Sequence, residues 1–328
     1  MLSSNISSIV PVVSAASFSL TWSDDVAYPI AIGFTVALTG QDHCIYVFGG
    51  QDSAGTTSTS YKFNATAGSL RGLFVCSLDN CAACFSHLSL HLEWTSINSM
   101  PAGVANAAGC VANDGRFFIF GGYENNRTSP SFIQIYSAAG DSWSTTTPMI
   151  PSGASIADFH MSCAVDSNTG LMYLTGGDNK GNRFYIYNVS SNSITDLSSS
   201  SPFSSLSGHG SFVANNGKFY VFGGCCYSAA TYIYAIATSN WSTGASMMQA
   251  AAWFGYATNG SRFYVIGGYN GSSYLQNTQV YDISANVWSV DNGIVFAGEI
   301  YTMLLPSWMV VCIPLEEVMG HTPFFPRT

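Results

Sequence analysis

The sequence contains very little charge of either sign. Asp, Glu, Lys and Arg make up only 8% of its 328 residues, and the nine Lys and Arg residues leave a net charge of −9. Because nucleic-acid affinity depends on clustered cations, this composition argues against a nucleic-acid partner. The sequence also lacks a long apolar run, since the stretch 300–315 is interrupted by two prolines. We therefore expect no membrane span.

Apolar and aromatic residues, in contrast, are abundant. They account for 47% and 14% of the chain, enough for a large core in which sheets pack on one another. Short apolar segments end in a glycine pair five times, and each predicts a buried strand that stops where glycine adopts angles closed to other residues. These pairs are Gly49 and Gly50, Gly121 and Gly122, Gly176 and Gly177, Gly223 and Gly224, and Gly267 and Gly268. The later pairs recur about every 45 residues, the length of a propeller blade of four short strands.

A second periodic element follows each glycine pair. An aromatic residue precedes a large apolar residue by seven positions in four repeats: Tyr136 and Trp143, Tyr187 and Ile194, Tyr234 and Trp241, Tyr281 and Trp288. In the first repeat the corresponding residues, Phe63 and Trp94, are much farther apart in the chain. The excess length predicts an insertion at about residues 69–92.

The order Gly-Gly, then Tyr, then Trp at this period resembles the kelch repeat over residues 17–298. The resemblance implies an all-β fold, a kelch-type β-propeller with one repeat per blade and six or seven blades. We expect six, because Trp22 occupies the Trp position of a strand that would complete a blade begun at the C-terminal end. Residues 299–328 do not continue the repeat and are interpreted as a degenerate last blade or an irregular tail. The insertion and this broken terminus also leave open a misassembled gene product.

Residues 1–16 are a modest apolar stretch that ends in small residues, interrupted by Pro11 and not preceded by Lys or Arg. They are interpreted either as a signal peptide or as a leader outside the fold. Asn-x-Ser/Thr sequons occur at Asn5, Asn64, Asn126, Asn188, Asn240, Asn259 and Asn270. Together with the low charge they favour a secreted, extracellular glycoprotein, with a cytoplasmic protein as the alternative. We expect a monomer.

The cysteines suggest one possible metal site and several structural roles. Within the insertion, thiol and imidazole groups with a spacing that matches no standard zinc module occur at Cys76, Cys81, Cys84, His87 and His91. We expect a disordered or loosely packed insert and no bound metal, with a functional arm as a further alternative. Cys110 and Cys163 are predicted to be buried in consecutive inner strands as free thiols. Cys225 and Cys226 are predicted in a variable loop, where a disulfide to a neighbouring loop would form in a secreted protein.

Alternating strand direction predicts where a ligand binds. The loops after each glycine pair and the crossovers between blades share one face, and these loops vary: 51–60, 123–131, 178–183, 225–230 and 269–278. The candidate ligand-binding residues at the channel mouth on this face are Asp158, His160, His209, Trp253, Tyr123, Tyr227 and Tyr269. Such a group would stack a sugar or hold a peptide. The alternative is that the histidines bond backbone and the tyrosines pack between blades.

The resemblance also raises an enzymatic reading, because some kelch propellers are similar to galactose oxidase, which holds copper with tyrosines and histidines. The chain has six histidines, no Tyr-His dipeptide and few acids, so it predicts no catalytic residues and no cofactor. We predict a non-enzymatic module that recognises a protein or glycan through its loop face. An intracellular scaffold for protein assembly is the alternative, and a copper oxidase relative is the weakest.

Overall fold

A computed structural model describes residues 34–42, 44–64, 93–258 and 260–291. These residues form five antiparallel sheets of four strands, together with one isolated two-stranded hairpin. Within each sheet the strands follow one another in chain order. Each sheet is therefore an up-and-down blade, and the blades are numbered 1 to 5 along the chain.

Blade 1 contains β1 (Val36–Thr39), β2 (Ile45–Phe48), the separate hairpin of β3 (Gln51–Asp52) and β4 (Gly55–Thr56), β5 (Ser60–Asn64) and β6 (Glu93–Ile97). Blade 2 contains β7 (Ala108–Val111), β8 (Phe117–Phe120), β9 (Ile133–Ser137) and β10 (Ser142–Thr146). Blade 3 contains β11 (Met161–Val165), β12 (Met172–Gly176), β13 (Phe184–Asn188) and β14 (Ser193–Asp196), followed by a 3-10 turn at Ser198–Ser200. Blade 4 contains β15 (Gly210–Val213), β16 (Lys218–Phe222), β17 (Thr231–Ala235) and β18 (Asn240–Thr243). Blade 5 contains β19 (Gly255–Thr258), β20 (Arg262–Ile266), β21 (Thr278–Asp282) and β22 (Val287–Asp291).

The second strand of each blade is the most buried, and its glycine pair explains where it ends. All four residues of β2 and of β8 are buried. At Gly121 the backbone has φ +60°, and an added Cβ would overlap the carbonyl oxygen of Asp158. Only glycine therefore fits where the strand turns outward beside the next blade.

The aromatic pairs of the repeat lie directly opposite one another in the two outer strands of each blade. Tyr136 pairs with Trp143, and the tyrosine hydroxyl donates to Asp141 Oδ1 over 2.8 Å. Phe63 pairs with Trp94 in the same way, although residues 65–92 between β5 and β6 lie outside the described part of the chain. The two strands on either side of this long interval therefore pair as the outer strands of the other blades do.

The five inner strands stand side by side around an axis. Strand β7 contacts both β1 and β11, and β11 contacts β15. Hydroxyl groups continue the series, because Ser162 Oγ lies 2.7 Å from Ser211 Oγ and 2.9 Å from the hydroxyl of Tyr256. The apolar core lies between neighbouring blades, where rings such as Tyr173 and Phe219 stack with their centroids 5.2 Å apart. Stacking against a neighbour buries the sheet faces that one blade cannot bury alone.

Two inner-strand cysteines differ from the sequence prediction. Cys110 in β7 and Cys163 in β11 were expected as free buried thiols, but they form a disulfide between blades 2 and 3. Neighbouring inner strands bring their Cα atoms to 5.8 Å, which is within the range that a disulfide spans. The prediction considered burial and not the distance between the two strands.

The outer-hairpin turns of blades 2, 3 and 5 each contact the blade before them. Asp141 has φ +42° and accepts a hydrogen bond from the Asn98 amide, which follows the last strand of blade 1, over 2.9 Å. Asn286, with φ +53°, accepts in the same way from Ala245 after blade 4 over 2.8 Å. These turns therefore reach sideways and join neighbouring blades.

The described residues contain five blades, and a sixth remains a prediction. Trp22, the leader 1–16 and residues 299–328 lie outside the described residues, as does the insertion with its possible zinc ligands.

Candidate binding site at the mouth of the axial channel

Each inner strand is preceded by a residue with a left-handed backbone. The five residues, called the lead-in residues below, are Phe34, Asn106, His160, Gly208 and Trp253, with φ between +53° and +59°. They lie one or two positions before the inner strands of blades 1 to 5 in turn. This conformation is costly for the four that are not glycine, and it persists only where the surroundings fix it.

Backbone hydrogen bonds join the lead-in residues into a continuous series around the axis. The amide of each donates to the carbonyl oxygen of the one in the preceding blade, over 3.0, 2.9, 3.2 and 2.8 Å from Asn106 to Trp253. The left-handed backbone is what turns each amide toward the neighbouring blade. The edge of the channel mouth is therefore an arc of five residues that backbone hydrogen bonds hold together.

A pocket of about 180 Å³ opens inside this series. It is lined by the lead-in residues and by the residue that follows each of them, so all five blades contribute equally. Its ring-bearing side chains come from Phe34, His160, His209, Trp253 and Phe254. The pocket is a concave surface to which polar and apolar atoms contribute about equally, so it offers a ligand both contact area and hydrogen-bonding atoms.

Seven half-buried aromatic rings form a connected series across the same face. They are called the mouth cluster and follow one another in the order Tyr123, Phe159, His160, Trp253, Tyr227, Tyr269 and Tyr274. Successive ring centroids are between 4.9 and 6.4 Å apart. The cluster joins loops and crossovers of blades 2 to 5, and five of its members are residues that the sequence predicted at the mouth.

Sequence reasoning missed two members of the cluster. Phe159 directly precedes His160 and contacts both His160 and Tyr123, while Tyr274 packs on Tyr269 within the loop of blade 5. Both lie within or beside segments already assigned to the mouth. An aromatic residue next to a candidate was the signal that could have identified them.

His160 is held by Asp178. Its Nδ1 lies 3.0 Å from Asp178 Oδ1, and its Nε2 has no hydrogen-bond partner among the described residues. Burial acts to raise the pKa of Asp178, but the hydrogen bond from His160 lowers it, and the net result is a lowered pKa. The carboxylate therefore fixes the ring so that its free nitrogen stays at the pocket wall.

His209 lies deeper in the wall and is neutral. Its Nε2 is 2.8 Å from Thr175 Oγ1, and burial lowers its pKa to about 3. Its Nδ1 has no hydrogen-bond partner in the described ranges, and the same holds for Trp253 Nε1. Three residues that line the pocket thus each hold one buried ring nitrogen without a partner, and these nitrogens can form new hydrogen bonds only if the surrounding side chains adjust.

Asp158, which the sequence also predicted at the mouth, does not line the pocket. It is fully buried and forms an ion pair with Arg183 at 2.8 Å. Its carboxylate also accepts hydrogen bonds from the amides of Phe159 (2.8 Å) and Asn179 (3.1 Å). Asp158 therefore joins the crossover carrying His160 to the loop carrying Asp178 and positions both. Nothing in the sequence pairs it with Arg183, 25 residues away.

The described ranges contain no group of three or more His, Cys, Asp or Glu side chains arranged to hold a metal ion.

No helix among the described residues has the length and apolar character needed to cross a bilayer.

Comparison with known families agrees with this geometry. A family model described as "KLHDC2/KLHL20/DRC7 Kelch-repeats domain" matches residues 33–252, and one described as "Kelch motif" matches residues 254–290. The first match alone covers more than half of the chain. No curated protein matches the sequence.

Proposed function

Since the chain belongs to the kelch-repeat family, whose propellers commonly act as protein-interaction modules, we propose that it is a non-enzymatic module that binds a protein segment at the mouth of its axial channel. The mouth cluster is the observation that supports this proposal. Half-buried aromatic rings supply large contact area at a small cost in side-chain entropy, and they dominate binding energy in many interfaces.

The orientation of the rings favours a protein partner over a glycan. From Tyr123 to Tyr269, successive rings of the mouth cluster are inclined by 62° to 79°. A surface of alternately inclined rings is corrugated, and its grooves accept apolar side chains better than the flat face of a sugar. The pocket beside it then receives one side chain of the bound segment, with the nitrogens of His160 and Trp253 within its wall.

The proposal is tested by selecting ligands on the full chain and asking which face they need. A displayed library of random peptides and a glycan array are applied to the wild type, to a Tyr227→Ser/Tyr269→Ser variant and to an Arg116→Ser control. Arg116 forms an exposed ion pair in the inner-hairpin turn of blade 2, away from the mouth cluster.

We expect selected peptides to bind the wild type and the control equally. The double variant should bind them roughly 30-fold more weakly or worse, since an aromatic residue at the centre of an interface commonly contributes about 2 kcal/mol or more. Peptides that bind all three proteins equally would contradict the site. Glycans bound in place of peptides, and lost in the double variant, would keep the site and replace the partner class.

We also propose that the protein is made in the secretory pathway. The Cys110–Cys163 disulfide supports this, because structural disulfides persist in oxidising compartments, and the sequon residues Asn126 and Asn240 are exposed. Intact mass of the native protein with and without an N-glycosidase tests the proposal. A mass loss on treatment is expected, and an unglycosylated chain with both cysteines reduced would favour the cytoplasmic alternative.

A further inference from the structure

Two adjacent cysteines lie in the loop that follows the glycine pair of blade 4. Cys225 is half-buried and Cys226 is exposed, and their sulfur atoms are 3.2 Å apart. The sequence allowed a disulfide from here to a neighbouring loop, but among the described residues both thiols are free. Their nearest sulfur partners are therefore each other.

The loop holds these two sulfur atoms in place. The Cys225 amide donates to the carbonyl oxygen of Ser207 over 2.8 Å, and the Ser228 amide donates to that of Gly224 over 2.9 Å. The other described cysteines are not competitors, because Cys44 is buried and Cys110 is already bonded to Cys163.

We propose that Cys225 and Cys226 are a reversible dithiol–disulfide pair at the mouth of the channel, oxidised by exchange with a low-molecular-weight disulfide such as oxidised glutathione. In the first step the Cys226 thiolate attacks one sulfur of the oxidant, which forms a mixed disulfide and releases one thiolate. In the second step the Cys225 thiolate attacks Cys226 Sγ, which forms the Cys225–Cys226 bond and releases the second thiolate. Two protein thiols are oxidised, one disulfide is reduced to two thiols, and the two protons pass through solvent to the released thiolates.

The surroundings of the two thiols set this order of attack. Burial raises the pKa of Cys225, and the neighbouring Cys226 thiol and the Asp178 carboxylate raise it further. Cys225 is therefore the poorer first nucleophile, whereas the exposed Cys226 meets the oxidant in solvent. Once the mixed disulfide forms, the short sulfur–sulfur distance makes attack by Cys225 intramolecular.

The next residue links this chemistry to the mouth cluster. Tyr227 contacts Trp253 and Tyr269, with ring centroids 6.0 and 5.4 Å away. A bond between the two preceding side chains constrains the backbone that positions this ring, so the two redox states would present different surfaces. The cysteine chemistry itself does not depend on the proposed binding function.

The chain offers a direct readout of the pair. Trypsin cleaves after Lys218 and Arg262 with no Lys or Arg between them, and Cys225 and Cys226 are the only cysteines in that peptide. The full recombinant chain, produced without glycans, is incubated with oxidised glutathione, its free thiols are alkylated, and the peptide mass is measured. Matched controls are Cys225→Ser and Cys226→Ser, each of which keeps one thiol, with circular dichroism to verify folding.

We expect the wild-type peptide to be lighter by two hydrogen atoms and to carry no alkyl group. Each single variant should instead carry one glutathione or one alkyl group. The reduced wild type alone should also form a cyclic adduct with phenylarsine oxide, in which both sulfurs replace the arsenic-bound oxygen and water is released. A wild-type peptide with two alkyl groups or two glutathiones, or one that forms no arsenic adduct when reduced, would overturn the pair and leave the proposed binding function untouched.

Discussion

The two ends of the inner strands satisfy their polar groups in different ways. At the inner-hairpin turns, an Asp or Asn side chain accepts a hydrogen bond from the backbone amide two residues later, at Asp42, Asp114, Asp166 and Asn216. At the mouth, the lead-in amides of blades 2 to 5 each donate to the preceding blade, and one ring nitrogen in each of His160, His209 and Trp253 has no hydrogen-bond partner among the described residues. Hydrogen bonds between residues close in sequence satisfy the turn end. The mouth end depends on bonds between blades and retains polar atoms without a partner among the described residues.

Charge follows the same division. The pairs Lys62–Asp42, Arg116–Asp114 and Arg262–Asp282 are at least partly exposed and lie in or beside the inner-hairpin turns, whereas Arg183–Asp158 at the mouth is buried. Exposed pairs contribute little to stability, but a buried charge that loses its partner is costly. The difference shows that local sequence is enough to form the turns, whereas the structure of the mouth forms only when the blades have packed together.

The largest expected effect comes from breaking the buried pair at the mouth. We expect Asp158→Asn to lower the free energy of unfolding by about 3–5 kcal/mol, because it leaves the Arg183 guanidinium buried without a counter-charge. The matched turn variant Asp114→Asn should lower it by less than about 1 kcal/mol. Urea unfolding measures both values. Similar losses would remove the distinction between the two ends.

The next largest difference in stability is expected between two glycine-to-alanine variants, Gly208→Ala at the mouth and Gly217→Ala at an inner-hairpin turn. Gly208 has φ +56°, and an added Cβ would overlap the Trp253 indole, whereas Gly217 has φ +71° with nothing within 4 Å. Both alanine variants carry the left-handed cost of roughly 1–2 kcal/mol, and Gly208→Ala adds overpacking of about 1–3 kcal/mol. Thermal unfolding tests this order, and tryptophan fluorescence should change for Gly208→Ala alone. Equal losses would mean that the indole moves aside freely.

The pH dependence of stability isolates one residue of the mouth. In the unfolded chain His209 has a pKa of 6.5, whereas burial lowers its pKa in the folded protein to about 3. Between these pH values the unfolded chain binds a proton that the folded protein does not. The folded state is therefore fully stable with respect to this residue above pH 6.5 and loses stability as the pH falls toward 3. Acidification from pH 7 to pH 5 should therefore lower the free energy of unfolding by about 2 kcal/mol.

His209→Gln should remove this pH-dependent loss, whereas Thr175→Val, which deletes the partner but keeps the imidazole, should retain it. Denaturant unfolding at the two pH values measures both slopes. An unchanged slope in His209→Gln would show that another group causes the loss.

The outer hairpins supply the smallest effect. The Tyr281 hydroxyl donates to Asn286 Oδ1 over 2.7 Å, whereas Tyr234, whose turn has Ser239 at the left-handed position, has no hydroxyl partner within the described residues. Tyr281→Phe should cost about 1 kcal/mol and Tyr234→Phe almost nothing. Calorimetry distinguishes the two. Equal costs would indicate that burial of the ring, and not the hydrogen bond, sets the stability of these turns.

The local half of this architecture could be predicted from the sequence. The spacing of seven residues places Tyr136 opposite Trp143 because both residues lie in one hairpin with a short turn. The glycine pairs mark the ends of strands at positions where only glycine fits. The kelch family and the all-β propeller were predicted in this way and are confirmed.

The non-local half could not be predicted, because its bonds join residues in different blades or loops. The left-handed backbones of His160 and Trp253 follow from hydrogen bonds across blades, and tryptophan in particular rarely adopts that conformation. The same reason hides the Asp158–Arg183 pair and the Cys110–Cys163 bond. The candidates His160, Trp253 and Tyr227 were found because the topology, and not their local sequence, places them at the mouth.

The hydrogen-bond series of the lead-in residues also has a direction that bears on biosynthesis. In every bond from Asn106 to Trp253 the later residue donates and the earlier one accepts. A chain that leaves the ribosome from its N-terminal end therefore makes each acceptor before the donor that needs it. Each of blades 2 to 5 therefore finds the acceptor it needs on a blade that has already been made, so the propeller can assemble while it is still being synthesised.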